Sequence, residues 1–98
     1  MKRPPGILGG ARVVLWSALD ARHRATGKCR HILPGTDLRP TTPAGLAICQ
    51  SEGEHSFHLF ACDAEWNTIT DTWHATLQEA RDQAEFEYEG ISQTWNPA

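Results

Sequence analysis

Along the chain, apolar positions recur first in short, strand-like runs and then, beyond residue 76, at the spacing of a helix. Arg12 to Leu19 is dense in β-branched and aromatic residues (Val13, Val14, Trp16), which suit a pleated, half-buried surface and predict a strand. Lys28 to Leu33 reads the same way, with Thr26-Gly27 as turn chemistry between the two, so a hairpin is expected. A short helix over Asp20 to Ala25, C-capped by Gly27, is the alternative, and the two stay open. Residues 34–45 carry three Pro and two Gly and read as a loop. Leu46 to Gln50 predicts a short strand, and Ser51 to Glu54 a polar turn with Gly53 as its left-handed residue. His55 to Cys62 follows as a strand with Phe57, Leu59 and Ala61 on one face, and His58, Phe60 and Cys62 on the other. After an Asp63–Asn67 turn, Thr68 to Trp73 is the last strand. Its even positions are all Thr, which suits a solvated pleat, so Ile69, Asp71 and Trp73 are expected to face inward.

The helix has the clearest signature. Thr76-Leu-Gln-Glu79 is a capping box, in which the Thr hydroxyl accepts an amide three residues on and the Glu reaches back. Leu77, Ala80, Ala84 and Tyr88 fall on one stripe at 100° per residue, and the two alanines allow close approach to a sheet. Gly90 is expected to end the helix at C′, with Ile91 making the apolar contact of a Schellman turn. The predicted fold class is therefore α+β. An antiparallel sheet of four to five strands (12–19, 28–33, 46–50, 55–62, 68–73) carries one C-terminal helix (77–89) on one face, and the other face stays in water. Residues 1–11, with two Pro, three Gly and two bases, are expected as a flexible arm before a single domain over 12–95.

Composition narrows the class. Ninety-eight residues suit one domain, and 40% hydrophobic with 21% charged residues is an ordinary globular mix, unlike a disordered, coiled-coil or collagen-like chain. The longest apolar run near the N-terminus spans 13–19, far short of the roughly 20 residues of a membrane helix. Met1-Lys2-Arg3 is followed by Pro4-Pro5-Gly6 rather than a signal-peptide core, so a cytoplasmic protein is expected. Cys29, Cys49 and Cys62 are odd in number, widely spaced and without a CxxC, which fits a reducing compartment.

The net charge of −3 conceals an asymmetry. Residues 1–50 hold eight Lys/Arg against two acids, and residues 51–98 hold one base against ten acids. The two halves either neutralise each other within the fold or serve charged partners. Glu85, Glu87 and Glu89 crowd the helix C-terminus, where negative charge opposes the macrodipole, and Arg81 is the helix's only base. Phe86 points away from the apolar stripe, among Glu79, Asp82 and Gln83. It is either an interface anchor or the centre of a small cluster with Ile91 and Trp95. The inward Asp71 is expected to bond backbone amides near the helix start.

The remaining candidates are weaker. His55 and His58 point to opposite faces of one strand. His58 and Cys62 share a face but lie about 13 Å apart at about 3.3 Å per residue, so no metal site is expected. Arg22-His-Arg-Ala-Thr-Gly-Lys-Cys-Arg-His31 is the one nucleic-acid candidate. Arg22, Arg24, Lys28 and Arg30 would meet phosphates and Trp16 would offer a stacking ring, without a recognisable RNA- or DNA-binding signature. No Walker motif, nucleophile elbow or HExxH is present, and neither enzyme activity nor a cofactor is expected.

Asp71-Thr-Trp-His-Ala-Thr-Leu-Gln-Glu-Ala-Arg-Asp-Gln-Ala-Glu-Phe-Glu-Tyr-Glu-Gly90, continuing to Trp95, resembles the C-terminal part of small bacterial proteins of uncharacterised function. The resemblance covers roughly residues 55–95, with a lesser likeness at Trp16-Ser-Ala-Leu-Asp20. It implies a small soluble bacterial protein and carries over no catalytic residue. In size and α+β style the chain is also similar to small acidic immunity proteins that neutralise secreted toxins, a likeness of type with no shared motif. The leading expectation is a protein–protein interaction module that meets a partner, of basic character, through Glu85, Phe86, Glu87, Glu89 and Trp95. Nucleic-acid binding through the basic segment is the alternative. A homodimer in which basic and acidic halves of two chains meet is a third, set against a monomer.

Overall fold

The computed structural model describes residues 1–26 and 43–98. It is an α+β fold, a curled antiparallel sheet with one helix. The elements are β1 (Ile7–Leu8), β2 (Ala11–Ala18), β3 (Arg24–Ala25), β4 (Gly45–Gln50), β5 (Phe57–Cys62), β6 (Thr68–His74), α1 (Leu77–Glu87), β7 (Tyr88–Glu89), a 3-10 turn at Ile91–Gln93, and β8 (Asn96–Pro97). The main sheet runs β1-β2-β4-β5-β6, with β8 also on β2, while β3 and β7 pair separately. The expected strand over 28–33, the Gly27 turn and most of the 34–45 loop lie outside the described residues. Asp20 to Ala25 does not form the alternative helix. Asp20 Oδ1 accepts the Arg22 amide, the His23 amide bonds the Asp20 carbonyl, and the chain turns into β3.

Register assigns the two faces of the sheet. Leu15 and Ser17 on β2 oppose Ile48 and Leu46 on β4, and Leu59 and Ala61 on β5 follow on the same side. There Ala80, Ala84, Tyr88 and Ile91 close the core, with neither alanine exposed at all. Both small residues let α1 lie close to the strands, as its stripe predicts. The N-cap half of the capping box forms, with Thr76 Oγ1 accepting the Glu79 amide at 3.1 Å, while Glu79 Oε2 reaches one residue further back and accepts the Ala75 amide at 3.0 Å.

Three expectations are corrected. First, the opposite face is not left in water. Val13, Ala47, Cys49, Phe60 and Cys62 form a second core there, under Leu8 and Trp66. A β-bulge between Val13 and Leu15 lets β2 serve both cores. The N-terminal residues, expected as a free arm, are what cover this face. β1 pairs with β2, Pro4 and Leu8 are buried, the Val13 amide bonds the Gly6 carbonyl, and the Trp66 indole N–H donates to the Lys2 carbonyl at 2.7 Å.

Second, β6 is turned over. Thr70, Thr72 and His74 oppose Ala61, Leu59 and Phe57 on the helix side, whereas Asp71 and Trp73 oppose Phe60 and His58. Asp71 is exposed, and Trp73 is 61% exposed. The physical reason is that α1 lies against this strand. The small Thr side chains fit beneath it, where an indole would not.

Third, α1 ends at Glu87, not at 89. Tyr88 takes extended backbone angles, its N–H still bonding the Ala84 carbonyl, and β7 then pairs with β3 in the register Arg24↔Glu89 and Ala25↔Tyr88. Gly90 is left-handed as expected (φ +98°), but it leads into the 3-10 turn. A Cβ there would stand 2.6 Å from the Arg22 carbonyl oxygen, so the approach of this turn to residue 22 needs a glycine.

Candidate interaction surface

The β3–β7 junction brings the basic segment to the acidic end of the helix. The Thr26 amide bonds the Glu87 carbonyl at 3.0 Å, and its hydroxyl bonds the Phe86 carbonyl at 2.7 Å. Arg24 Nε stands 3.9 Å from Glu89 Oε2, an exposed pair of the kind that contributes about 0.2–1 kcal/mol. Arg22 forks onto both oxygens of Asp20 at 3.0 and 2.8 Å. Those bonds, with the Arg22 amide, hold the Asp20 carboxyl far below its usual range and raise the Arg22 guanidinium above its own. Two of the four cations proposed for nucleic acid are thus engaged with carboxylates of the same chain; Lys28 and Arg30 lie outside the described residues.

The five residues expected as a partner surface do not share one exposed face. Glu85 folds back over the end of α1, where its oxygens accept the Gly90 amide at 3.0 Å and the Ser92 amide at 3.1 Å. Desolvation pushes this carboxyl up, but the Gly90 and Ser92 bonds outweigh it, and its pKa lies below the ordinary value. Glu87 is buried at 5% exposure. It takes a bond from the Gln83 side chain and lies beside Thr70 and Thr72 under the helix. Trp95 packs against the helix-side core rather than over Phe86, and Ile91 is fully inside that core. The expected Phe86–Ile91–Trp95 cluster does not form.

Phe86 and Glu89 remain outside, and the fold adds two residues to them. Glu79, Asp82 and Phe86 succeed one another along the solvent side of α1, with Glu89 just beyond, and all four are exposed. Phe86 is 47% exposed. Glu79 is satisfied by the Ala75 amide and Asp82 by the Gln78 amide group at 2.9 Å. Both partners are neutral, and neither carboxylate has an ion pair among the described residues. The helical angle of Phe86 was enough to find this stripe in the sequence. What the sequence did not reveal is that Glu85 folds onto the Gly90 and Ser92 amides and that Glu87 is buried.

A polar chain crosses the other end of the helix-side core. The Asp20 amide donates to His23 Nδ1 at 3.1 Å, His23 Nε2 lies 2.7 Å from Thr94 Oγ1, and Thr94 Oγ1 lies 2.8 Å from Ser17 Oγ. Ser17 is 1% exposed, and its hydroxyl donates to the Ala18 carbonyl at 2.9 Å. Cys49 and Cys62 are buried. Burial first, then Cys62, pushes the Cys49 thiol up to about 12. Burial and Asp63 push Cys62 up to about 11 against a bond from Thr68. Both raised values favour the protonated thiol at neutral pH. Among the described residues, no group of three or more His, Cys, Asp or Glu is placed to hold a metal ion, and no helix is long and apolar enough to cross a membrane.

No family model, curated protein or solved structure matches the chain.

Proposed function

We propose that this chain is a non-enzymatic protein-interaction module of the bacterial cytoplasm, which captures a basic partner protein on the outer stripe of α1. Phe86 is the anchor, and Glu79, Asp82 and Glu89 are the charges that steer encounter and surround the ring. The observation that carries this reading is an aromatic ring left 47% exposed within a line of carboxylates, two of which, among the described residues, bond only neutral groups. Glu85 and Glu87 act instead as supports that fix the end of the helix.

The test pairs Asp82→Lys with Phe86→Ser. Both positions are on the solvent side, so the melting temperature should stay within a few degrees of the parent. Capture of the purified partner should fall at least tenfold. It should also weaken with salt in the parent more steeply than in the variant. Equal capture by parent and variant overturns the reading.

A further inference from the structure

We propose that Asp71 and Trp73 form a second contact site, separate from the helix stripe, that takes the guanidinium of an arginine side chain on a partner protein. The two residues sit two apart on β6 and share one pleat face, about 7 Å apart at about 3.3 Å per residue. Trp73 is the most exposed of the described tryptophans, at 61%; Trp16, Trp66 and Trp95 are all buried or half-buried. Asp71 is exposed, and its carboxylate makes no hydrogen bond or ion pair among the described residues.

The neighbours of the pair on β5 are packed side chains. Phe60, opposite Asp71, is 5% exposed and lies under Gly9, where a Cβ would stand 3.2 Å from the ring. His58, opposite Trp73, stacks on Phe60 with centroids 5.7 Å apart and planes 5° from parallel. An exposed indole beside an unpaired carboxylate selects its ligand by chemistry. The indole face attracts a cation within about 6 Å of its centroid, and the carboxylate accepts two parallel N–H bonds. One planar guanidinium meets both requirements at once, whereas an ammonium meets them only as a point charge. A nucleic-acid base would stack on the ring but would bring its phosphate towards Asp71, where like charges repel.

The experiment follows the four indole N–H signals of the full chain by 1H–15N NMR during titration with Ac-Arg-Arg-Arg-NH2, Ac-Lys-Lys-Lys-NH2, the matching citrulline peptide and an oligouridine. The expected result is a saturable shift of the Trp73 signal alone with the arginine peptide. The lysine peptide should bind at least threefold more weakly, and the citrulline peptide should produce no shift. Asp71→Asn should weaken the arginine peptide at least fivefold, with the other three indole signals unmoved as proof of fold. Asp82→Lys/Phe86→Ser should leave the titration unchanged, so this site stands or falls apart from the helix stripe. A Trp73 signal that does not respond, an equal response in Asp71→Asn, or a response to the oligouridine in place of the arginine peptide overturns the proposal.

Discussion

Glu85 and Gly90 are joined by a 3.0 Å bond from the glycine amide to the carboxylate, and the same carboxylate holds the Ser92 amide. A side chain in the last turn of α1 thereby fixes the reversal that brings Ile91 into the core. It also resolves an apparent fault in the sequence, a negative charge at the negative end of a helix. The charge faces two amide donors beyond the helix end, which offset the unfavourable dipole.

Glu85→Ala should therefore lower stability by about 1 kcal/mol, the net worth of bonds whose donors are part-buried at Gly90 and exposed at Ser92. Because the folded pKa lies below the ordinary value of 4.5, this contribution is complete above that value and fades as pH falls through the folded pKa. Acid unfolding followed by circular dichroism should show a shallower pH dependence below 4.5 in Glu85→Gln. An unchanged acid limb would mean that the two bonds carry no linkage.

Gly90→Ala tests the same reversal from the other side. The added Cβ would stand 2.6 Å from the Arg22 carbonyl at a φ of +98°, so both sterics and backbone conformation oppose it. Urea denaturation should show a loss of about 2–3 kcal/mol. Gly53→Ala, also at positive φ but with open space around its Cβ, should cost less, on the order of 1 kcal/mol.

These two glycines show how far the chain can be read locally. Gly53 belongs to a four-residue turn and was legible from its neighbours, as were the Thr76–Glu79 box and the Ala80/Ala84 stripe. The close contact at Gly90 involves residue 22, and the early end of α1 comes from pairing with Arg24 and Ala25. Neither partner is visible in a local pattern. The pleat of β6 misled for another reason. Alternation separates Thr68, Thr70 and Thr72 from Ile69, Asp71 and Trp73, but it cannot say which set is buried when both faces of β5 are apolar. Packing against α1 decided for the smaller side chains. The same limit applies to the candidate surface. Phe86 could be placed by its angle on the helix, whereas a glycine stop at residue 90 does not by itself say that the Glu85 carboxylate receives the amides beyond it.

His74 supplies a dependence nearer neutrality. Burial lowers its pKa below the ordinary 6.5, against the fields of Glu79 and Glu87 that raise it, while His58 adds to the lowering. Its ring lies 2.7 Å from the Thr72 hydroxyl. The folded state thus binds the proton less readily than the unfolded one. The stabilising effect of neutral His74 is present above 6.5 and declines as pH falls below it. Stability measured in urea should drop between pH 7 and 5, and His74→Gln should flatten that drop. A variant with the parent's slope would assign the dependence to another group.

Thr94 is the hinge of the polar chain that links Ser17 to His23. The Asp20 amide can only donate, so His23 Nδ1 accepts and Nε2 carries the proton. Nε2 then donates to Thr94 Oγ1, whose own hydrogen is shared between Ser17 Oγ at 2.8 Å and the Ile91 carbonyl at 3.2 Å, and the Ser17 hydroxyl has the Ala18 carbonyl at 2.9 Å. Thr94→Val preserves shape but removes the acceptor of one buried neighbour and the donor of the other, so it should cost about 2–3 kcal/mol. Ser17→Ala leaves only the Thr94 hydroxyl to be re-satisfied, and Thr94 Oγ1 has the Ile91 carbonyl within 3.2 Å to receive it. That variant should cost about 1 kcal/mol or less. In the double variant the Ser17–Thr94 bond is removed only once, so its cost should fall short of the sum of the two singles. Long-range 1H–15N NMR should find His23 as the Nε2–H tautomer in the parent. A proton on Nδ1, or strictly additive losses, would break the chain at His23 or at Thr94 respectively.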